Sequence, residues 1–382
     1  MICDKLFDKI DSLNEKYLNF LEDVCNIESP TDFKEGVDRV GAYFIKKAEE
    51  KGWQVELFPQ AVSGDVVVIT MNPTAKGKAI SISGHLDTVH PIGLFPSPAV
   101  HRDSEKMYGP GVVDCKGGAV AGFMAMDALE QIGFDSRPVM LLLQTDEEKG
   151  SMPSGKTTIG TICERSKNSE IFLNLEGHTA NMACVTTKGI QRYKFTVTGK
   201  AAHSSRCFNG ANAILEATYK IQELEKFKDG KSITCNCGVI SGGTVPNTVA
   251  EVCTFVADFR HKTNEEIDKI EKTVKEIAEK TVIDGCSCTF ERISWRIAMT
   301  YEERNIKLLE RVNEIYRENG LPTLGEKHGL GGSDAADVTA AGIPCMEGLG
   351  TYGGGVHSVN EFMYLDSLAQ SAKRIASIIN CI

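Results

Sequence analysis

The chain has 382 residues, 42 % of them hydrophobic and 25 % charged, with a formal net charge of −10. That length exceeds what one hydrophobic core usually supports, so two domains are expected. The acidic balance argues against nucleic acid and anionic membranes as partners, and no run approaches the ~18 to 20 apolar residues of a membrane span.

In chain order, the N-terminal stretch MICDKLFDKIDSLNEKY mixes acids with bases. It lacks an apolar core followed by a small-residue cleavage site, so it reads as an amphipathic helix rather than a signal peptide, and a cytoplasmic location is expected. From 64 to 175, the runs GDVVVITM, KAISISG, PVMLLLQT and EIFLNL are nearly continuous in apolar residues, as in strands covered on both faces. GGAVAGFMAMDALEQIG between them predicts a buried helix stopped at Gly133. That alternation predicts an α/β layer with a mixed, mainly parallel sheet, whose ligands bind beyond the carboxyl ends of the strands.

Residues 188 to 294 have another rhythm. QRYKFTVT puts Tyr193, Phe195 and Val197 on one face and Lys194, Thr196 and Thr198 on the other, as in a strand buried on one side. A helix with Ile214, Ala217, Ile221 and Leu224 follows, then SITCNCGVI and VAEVCTFVADFR joined by SGGTVPNT. A second helix carries Ile267, Ile270, Val274 and Ile277, and a last strand runs from Cys286 to Ile293. The order β-α-β-β-α-β is the ferredoxin-like arrangement. After 298 the α/β character returns, with a helix near 303–319, the loop GLGGSDAAD, and a closing helix from about 365. The expected domains are therefore 1–187 and 295–382 as two parts of a catalytic domain, with 188–294 inserted as an α+β lid and dimerisation domain.

Chemistry-bearing residues stand at the expected strand ends. His85 and Asp87 form H-x-D, in which His85 can bind a metal while Asp87 accepts the proton of the other ring nitrogen. Asp114 follows a G-P-G turn; Glu147 and Glu148 adjoin behind VMLLLQT; Glu176 follows EIFLNL; His357 lies in the glycine-rich GGGVHS. Adjacent buried carboxylates are costly unless a cation or shared proton compensates, and together these residues supply imidazole and carboxylate ligands. Lys116 reads as a solvated or helix-start charge. His90, His101, His178, His261 and His328 show no ligand spacing.

Thirteen cysteines occur without a C-x-x-C pair, so reduced structural thiols are the default reading. Two C-x-C pairs, Cys235/Cys237 and Cys286/Cys288, could in principle form a four-thiolate zinc site. The ferredoxin-like topology puts them on opposite sheet edges and argues against it.

GHLDTV, YGPGVVDCKGG, QTDEEKGS, GKAAHSS, GGTVPNTVAEVCTFVADFR, GGSDAAD and GGGVHSVNEF occur in the order seen in dinuclear zinc amidohydrolases and exopeptidases. The chain resembles that superfamily over roughly 10 to 380, and most resembles its glutamate carboxypeptidase branch. The resemblance implies two Zn2+ per chain, replaceable by Co2+ or Mn2+. His85 and Glu176 would bind one ion, Glu148 and His357 the other, with Asp114 bridging and Glu147 as general base. His203 would reach the active site of the other subunit in a homodimer and donate to the oxyanion. Asn247 and Arg260 would contact the substrate, Arg260 holding a carboxylate. The implied function is a metal-dependent hydrolase that cleaves an amide bond next to a free carboxylate in a small peptide or N-acyl amino acid, through a metal-bridging hydroxide. The alternative is an N-acyl-amino-acid deacylase of the same superfamily. A cysteine hydrolase built on Cys115 lacks a partner histidine that the metal reading leaves unused. The acids Asp334 and Asp337 make GLGGSDAAD a poor phosphate cradle.

Overall fold

The computed structural model describes residues 3–178 and 181–382. Two compact units emerge from its internal packing. One contains 1–186, 301–329 and 333–382; the other contains 187–300 and 330–332.

The first unit is built on an eight-stranded sheet in the order Gln54–Phe58, Val66–Met71, Val139–Gln144, Ile80–His85, Ile171–Asn174, Cys345–Glu347, Met182–Thr186, Gly325–His328. The four central strands, from Val139–Gln144 to Cys345–Glu347, run parallel. They are buried along their whole length, as their apolar runs demand. Antiparallel pairings begin outside them, at Val66–Met71 on one side and Met182–Thr186 on the other. The fold is thus a mixed α/β sheet with a parallel centre.

Helix Lys116–Gln131 packs on this sheet and is buried on nearly every side, because its sequence offers alanine, glycine and large apolar residues with no polar stripe. Phe123 meets the rings of Tyr17, Phe20, Phe44 and Trp53, which ties in the first two helices, Asp4–Cys25 and Lys34–Glu50. The helix starts hard against the strand ends: a Cβ on Gly118 would lie 1.9 Å from the Leu175 carbonyl oxygen. Only glycine permits that approach.

Lys116 is a correction to the sequence reading. Its side chain is fully buried, and Nζ donates to the carbonyls of Val24 and Ile27, each at 3.0 Å. Val24 lies in the last turn of helix Asp4–Cys25, whose negative dipole end favours a cation.

A small second sheet, Gly353–Gly354, Phe362–Tyr364, Lys106–Tyr108 and His101–Arg102, was not visible in the sequence. It pairs the strand after the His357 loop with the strand before Asp114. The other unit is an antiparallel sheet in the order Thr234–Gly242, Val252–His261, Gly189–Thr198, Ser287–Arg296, with helices Ala213–Lys226 and Glu266–Glu279. This is the ferredoxin-like order expected from the sequence. Tyr193, Phe195 and Val197 face its core, and Phe195 stacks on its cross-strand partner Phe255 with centroids 4.6 Å apart.

Candidate metal centre

Register brings the first unit's acids together. His85 is the last residue of its strand and stands opposite Gln144, so the turn with Glu147 and Glu148 begins beside it. On the other flank Ser83 stands opposite Asn174, and Glu176 follows two residues later. Three chain segments distant in sequence thus deliver side chains to one end of the sheet.

Asp114 sits at the middle of the cluster. One carboxylate oxygen lies 2.8 Å from His85 Nε2, and the other lies 3.0 Å from His357 Nε2. Glu176 Oε1 approaches the His85 ring at 3.7 Å, and Glu148 Oε2 approaches the His357 ring at 3.2 Å. All five proposed ligands therefore come together, an acid and an imidazole on each side of Asp114. Glu147 is 8 % exposed and adjoins Glu148 in the same turn.

The Asp87 carboxylate organises one wall. It accepts hydrogen bonds from the backbone N–H groups of Glu147 and Glu148, each at 3.2 Å, and from the Thr31 hydroxyl at 2.7 Å. Glu361 does the same opposite. It is 1 % exposed, and its Oε1 accepts from Val113 N at 2.9 Å and Asp114 N at 3.1 Å. Its other oxygen lies 3.6 Å from His90 Nε2, so the partly sequestered His90 supports the loop that aims Asp114. The sequence reading missed Glu361. Its one signal was position: an acid placed four residues beyond His357.

The titration behaviour reflects crowded charge. Burial, with the carboxylates of Asp114, Glu147 and Glu347 adding to it, pushes Glu176 well above the usual carboxylate range despite the nearby His85. Burial also raises Glu148. Asp114 goes the other way: although burial opposes it, the His357 and His85 rings hold its carboxyl below the ordinary value. Hydrogen bonds to Asp114 and then Glu148 raise His357 to about 10. Protons on the imidazoles thus occupy the places that cations favour.

Cys115, next to Asp114, is buried, and its thiol donates to the Leu175 carbonyl at 3.1 Å. Burial pushes it well above the ordinary thiol range. A sequestered, protonated thiol is a poor nucleophile, which removes the cysteine-hydrolase reading.

The remaining predicted residues lie in the other unit. His203 is exposed and caps the short helix Ser204–Asn209, its Nδ1 accepting from Ser205 N at 3.2 Å. That leaves Nε2 to carry the proton of the neutral ring. Asn247 is beside it in the fold: its carbonyl accepts from Ser204 N at 2.9 Å, and His203 bridges Thr248. Arg260 pairs with Asp258, two residues earlier on the same strand, Nε to Oδ1 at 2.6 Å.

The donor set suits a pair of divalent cations. Imidazole nitrogen and carboxylate oxygen are the ligands of zinc and its borderline relatives, and a carboxylate presenting one oxygen to each side is what a bridge requires.

Comparison with known proteins agrees with this geometry. The sequence pattern of Peptidase family M20/M25/M40 matches residues 81–380. Carboxypeptidase G2 of Pseudomonas sp. (strain RS-16) is 30 % identical over 361 residues, 92 % of this chain and 86 % of that one. Acetylornithine deacetylase of Myxococcus xanthus is 25 % identical over 221 residues, 54 % of this chain and 56 % of that one. Among solved structures, aminopeptidase PepT from Bacillus cereus ATCC 10987 superimposes with a TM-score of 0.76 at 20 % identity, covering 96 % of this chain and 98 % of that one.

Proposed function

The chain belongs to peptidase family M20/M25/M40, a metal-dependent amide hydrolase by that membership, and we propose that it is a carboxypeptidase. Its substrate is a small peptide or N-acyl amino acid, cut at the amide bond next to a free carboxylate. One observation carries the reading: the two oxygens of Asp114 face two different imidazoles, at 2.8 and 3.0 Å, with Glu176 and Glu148 beyond them. Buried charges left uncompensated cost several kcal/mol each, so such a cluster is built to receive cations.

His85 and Glu176 would hold one ion, Glu148 and His357 the other, with Asp114 between them; Zn2+ fits, with Co2+ or Mn2+ as substitutes. When bound, such ions polarise a carbonyl and acidify water. The chain's own residues do the rest. Glu147 is the general base: it takes the proton of the attacking water and returns it to the leaving amine. Asp87 fixes His85 and the Glu147–Glu148 turn. His203 presents Nε2–H to the oxyanion in the active site of a second subunit, while Asn247 contacts the substrate and Arg260 holds its carboxylate. A homodimer follows from that role of His203. The edge strand Thr234–Gly242, with Val239 62 % and Ile240 51 % exposed, supports it, since an open apolar edge invites a second chain. The thirteen cysteines, scattered without a C-x-x-C pair, suit a reducing, cytoplasmic location. Among the described residues, no helix is long and apolar enough to cross a membrane.

The similarity to an acetylornithine deacetylase favours a second reading, an N-acyl-amino-acid deacylase. Initial rates on N-acyl-glutamates, dipeptides and N-acetyl-amino acids, each as free acid and as C-terminal amide, separate the two. A carboxypeptidase prefers free acids across varied acyl groups; a deacylase selects one acyl group and tolerates the amide. Absence of hydrolysis across the whole panel in metal-replete protein overturns both.

A further inference from the structure

The Cys235/Cys237 pair takes no part in the catalytic reading. Strand Thr234–Gly242 is an edge of the ferredoxin-like sheet, and Ser287–Arg296, which contains Cys288 and directly follows Cys286, is the opposite edge, so the two pairs cannot share one ion. Side chains two apart on a strand share a face, and this face packs against helix Ala213–Lys226. Glu225 lies in the last turn of that helix. Its Oε1 accepts from Cys237 N at 2.8 Å, and its Oε2 accepts from Lys228 Nζ at 2.7 Å. Cys235 is 4 % exposed, while Cys237 and Glu225 are half-buried. A register shift follows Cys237 in the pairing with the next strand, and such irregularities re-aim a side chain.

One sulfur from each cysteine and one oxygen of Glu225 lie within 4.8 Å of one another. Around a tetrahedral zinc, with Zn–S of about 2.3 Å and Zn–O of about 2.1 Å, ligand atoms stand roughly 3.5–3.8 Å apart. The three donors therefore close on one ion with small side-chain movements. We propose that Glu225, Cys235 and Cys237 form a site for one thiophilic divalent cation of the zinc and cadmium class, with a fourth position open to water. This donor set is soft, unlike the oxygen and imidazole cluster of the other unit, so it selects for different metals.

Both cysteines bind as thiolates, so uptake of an ion releases the thiol protons to solvent, with Lys228, already paired with Glu225, offsetting part of the site's negative charge.

Cadmium titration of the full-length, zinc-replete protein tests the site, because thiolate coordination gives an ultraviolet charge-transfer band that oxygen and nitrogen ligands do not. The parent shows the band, saturating at one equivalent. Cys235→Ser with Cys237→Ser abolishes it, and Glu225→Gln weakens cadmium binding by about tenfold. Cys235 is core, so Cys237→Ala alone, at a half-buried position and checked by circular dichroism, gives the same loss if the double variant does not fold. Cys288→Ala, on the opposite edge, keeps the band. No band in the parent, or an undiminished one in folded Cys237→Ala, overturns the proposal.

Discussion

Asp87 receives the His85 ring twice: Nδ1 lies 3.0 Å from its backbone carbonyl and 3.3 Å from its carboxylate oxygen Oδ1. That oxygen also accepts from Glu147 N, so one buried carboxylate joins the ring of a proposed ligand to the turn of the proposed general base. With Nδ1 held there, Nε2 is the ring nitrogen that faces Asp114 and that a cation would take in exchange for its proton.

Asp87→Asn keeps the shape but replaces an anion with an amide, weakening the hold on the ring proton. Partners of this kind are typically worth 10- to 100-fold in metal affinity or activity. Metal titration and kcat/KM together measure the loss. A variant that keeps both at the parent level shows that the backbone carbonyl alone orients His85.

Glu147 and Glu148 are neighbours, and Glu148 approaches His357 at 3.2 Å. Glu147→Gln is expected to remove turnover, by roughly a hundredfold or more, with metal content near that of the parent. Glu148→Gln is expected to lower metal content as well. Elemental analysis of the two proteins decides, and full metal in both removes Glu148 from the ligand set.

Metal uptake is expected to release protons. In the metal-free protein, hydrogen bonds to Asp114 and Glu148 hold His357 at about 10, so its ring is charged at pH 7. Ligation needs the neutral ring, so each binding event there expels a proton, and affinity rises with pH up to that value. Calorimetry in buffers of different ionisation enthalpy gives the proton count. Zero release near pH 7 contradicts His357 as a ligand.

The strands and candidate ligands that were legible in the sequence share a cause. Ile80–His85 and Val139–Gln144 are covered on both faces, which forces continuous apolar runs, and their ends mark where His85 and Glu147 emerge. The ferredoxin-like order was legible because its strands alternate: Gly189–Thr198 buries every second residue up to Val197. Gly353–Gly354 and Lys106–Tyr108 are too short to carry a period, so the sheet that brings Asp114 and His357 together left no trace. Lys116 and Glu361 failed for another reason. Charged residues are mostly exposed, and their burial here depends on carbonyls and N–H groups far along the chain.

Shared active sites can be tested by mixing. His203 and Glu147 belong to different compact units, and a homodimer is the proposed way to combine them. Inactive His203→Ala mixed with inactive Glu147→Gln is expected to recover part of the activity, because some hybrids contain one site with both residues intact. Up to about a quarter of parental activity follows if subunits exchange at random, since half the dimers are hybrids with one good site each. No recovery, with exchange verified by mass spectrometry of tagged chains, shows that each chain works alone.

Arg260 has the stronger competing explanation. Its Nε and one terminal nitrogen fork onto Asp258, at 2.6 and 3.3 Å. Asp258 also accepts from Arg192, its direct partner on the neighbouring strand, at 2.5 Å. Two guanidinium groups thus share one carboxylate, and the surplus positive charge can receive a second carboxylate from a substrate. Arg260→Ala is expected to cost about 2 kcal/mol or more on a free-acid substrate, roughly 30-fold in kcat/KM. Arg260→Lys should restore little of it, because a point charge does not reproduce the planar fork. The matching amide, already a poor substrate, should lose almost nothing. Equal losses on acid and amide would assign Arg260 to holding Asp258 in the sheet, where Arg192 already shares that work.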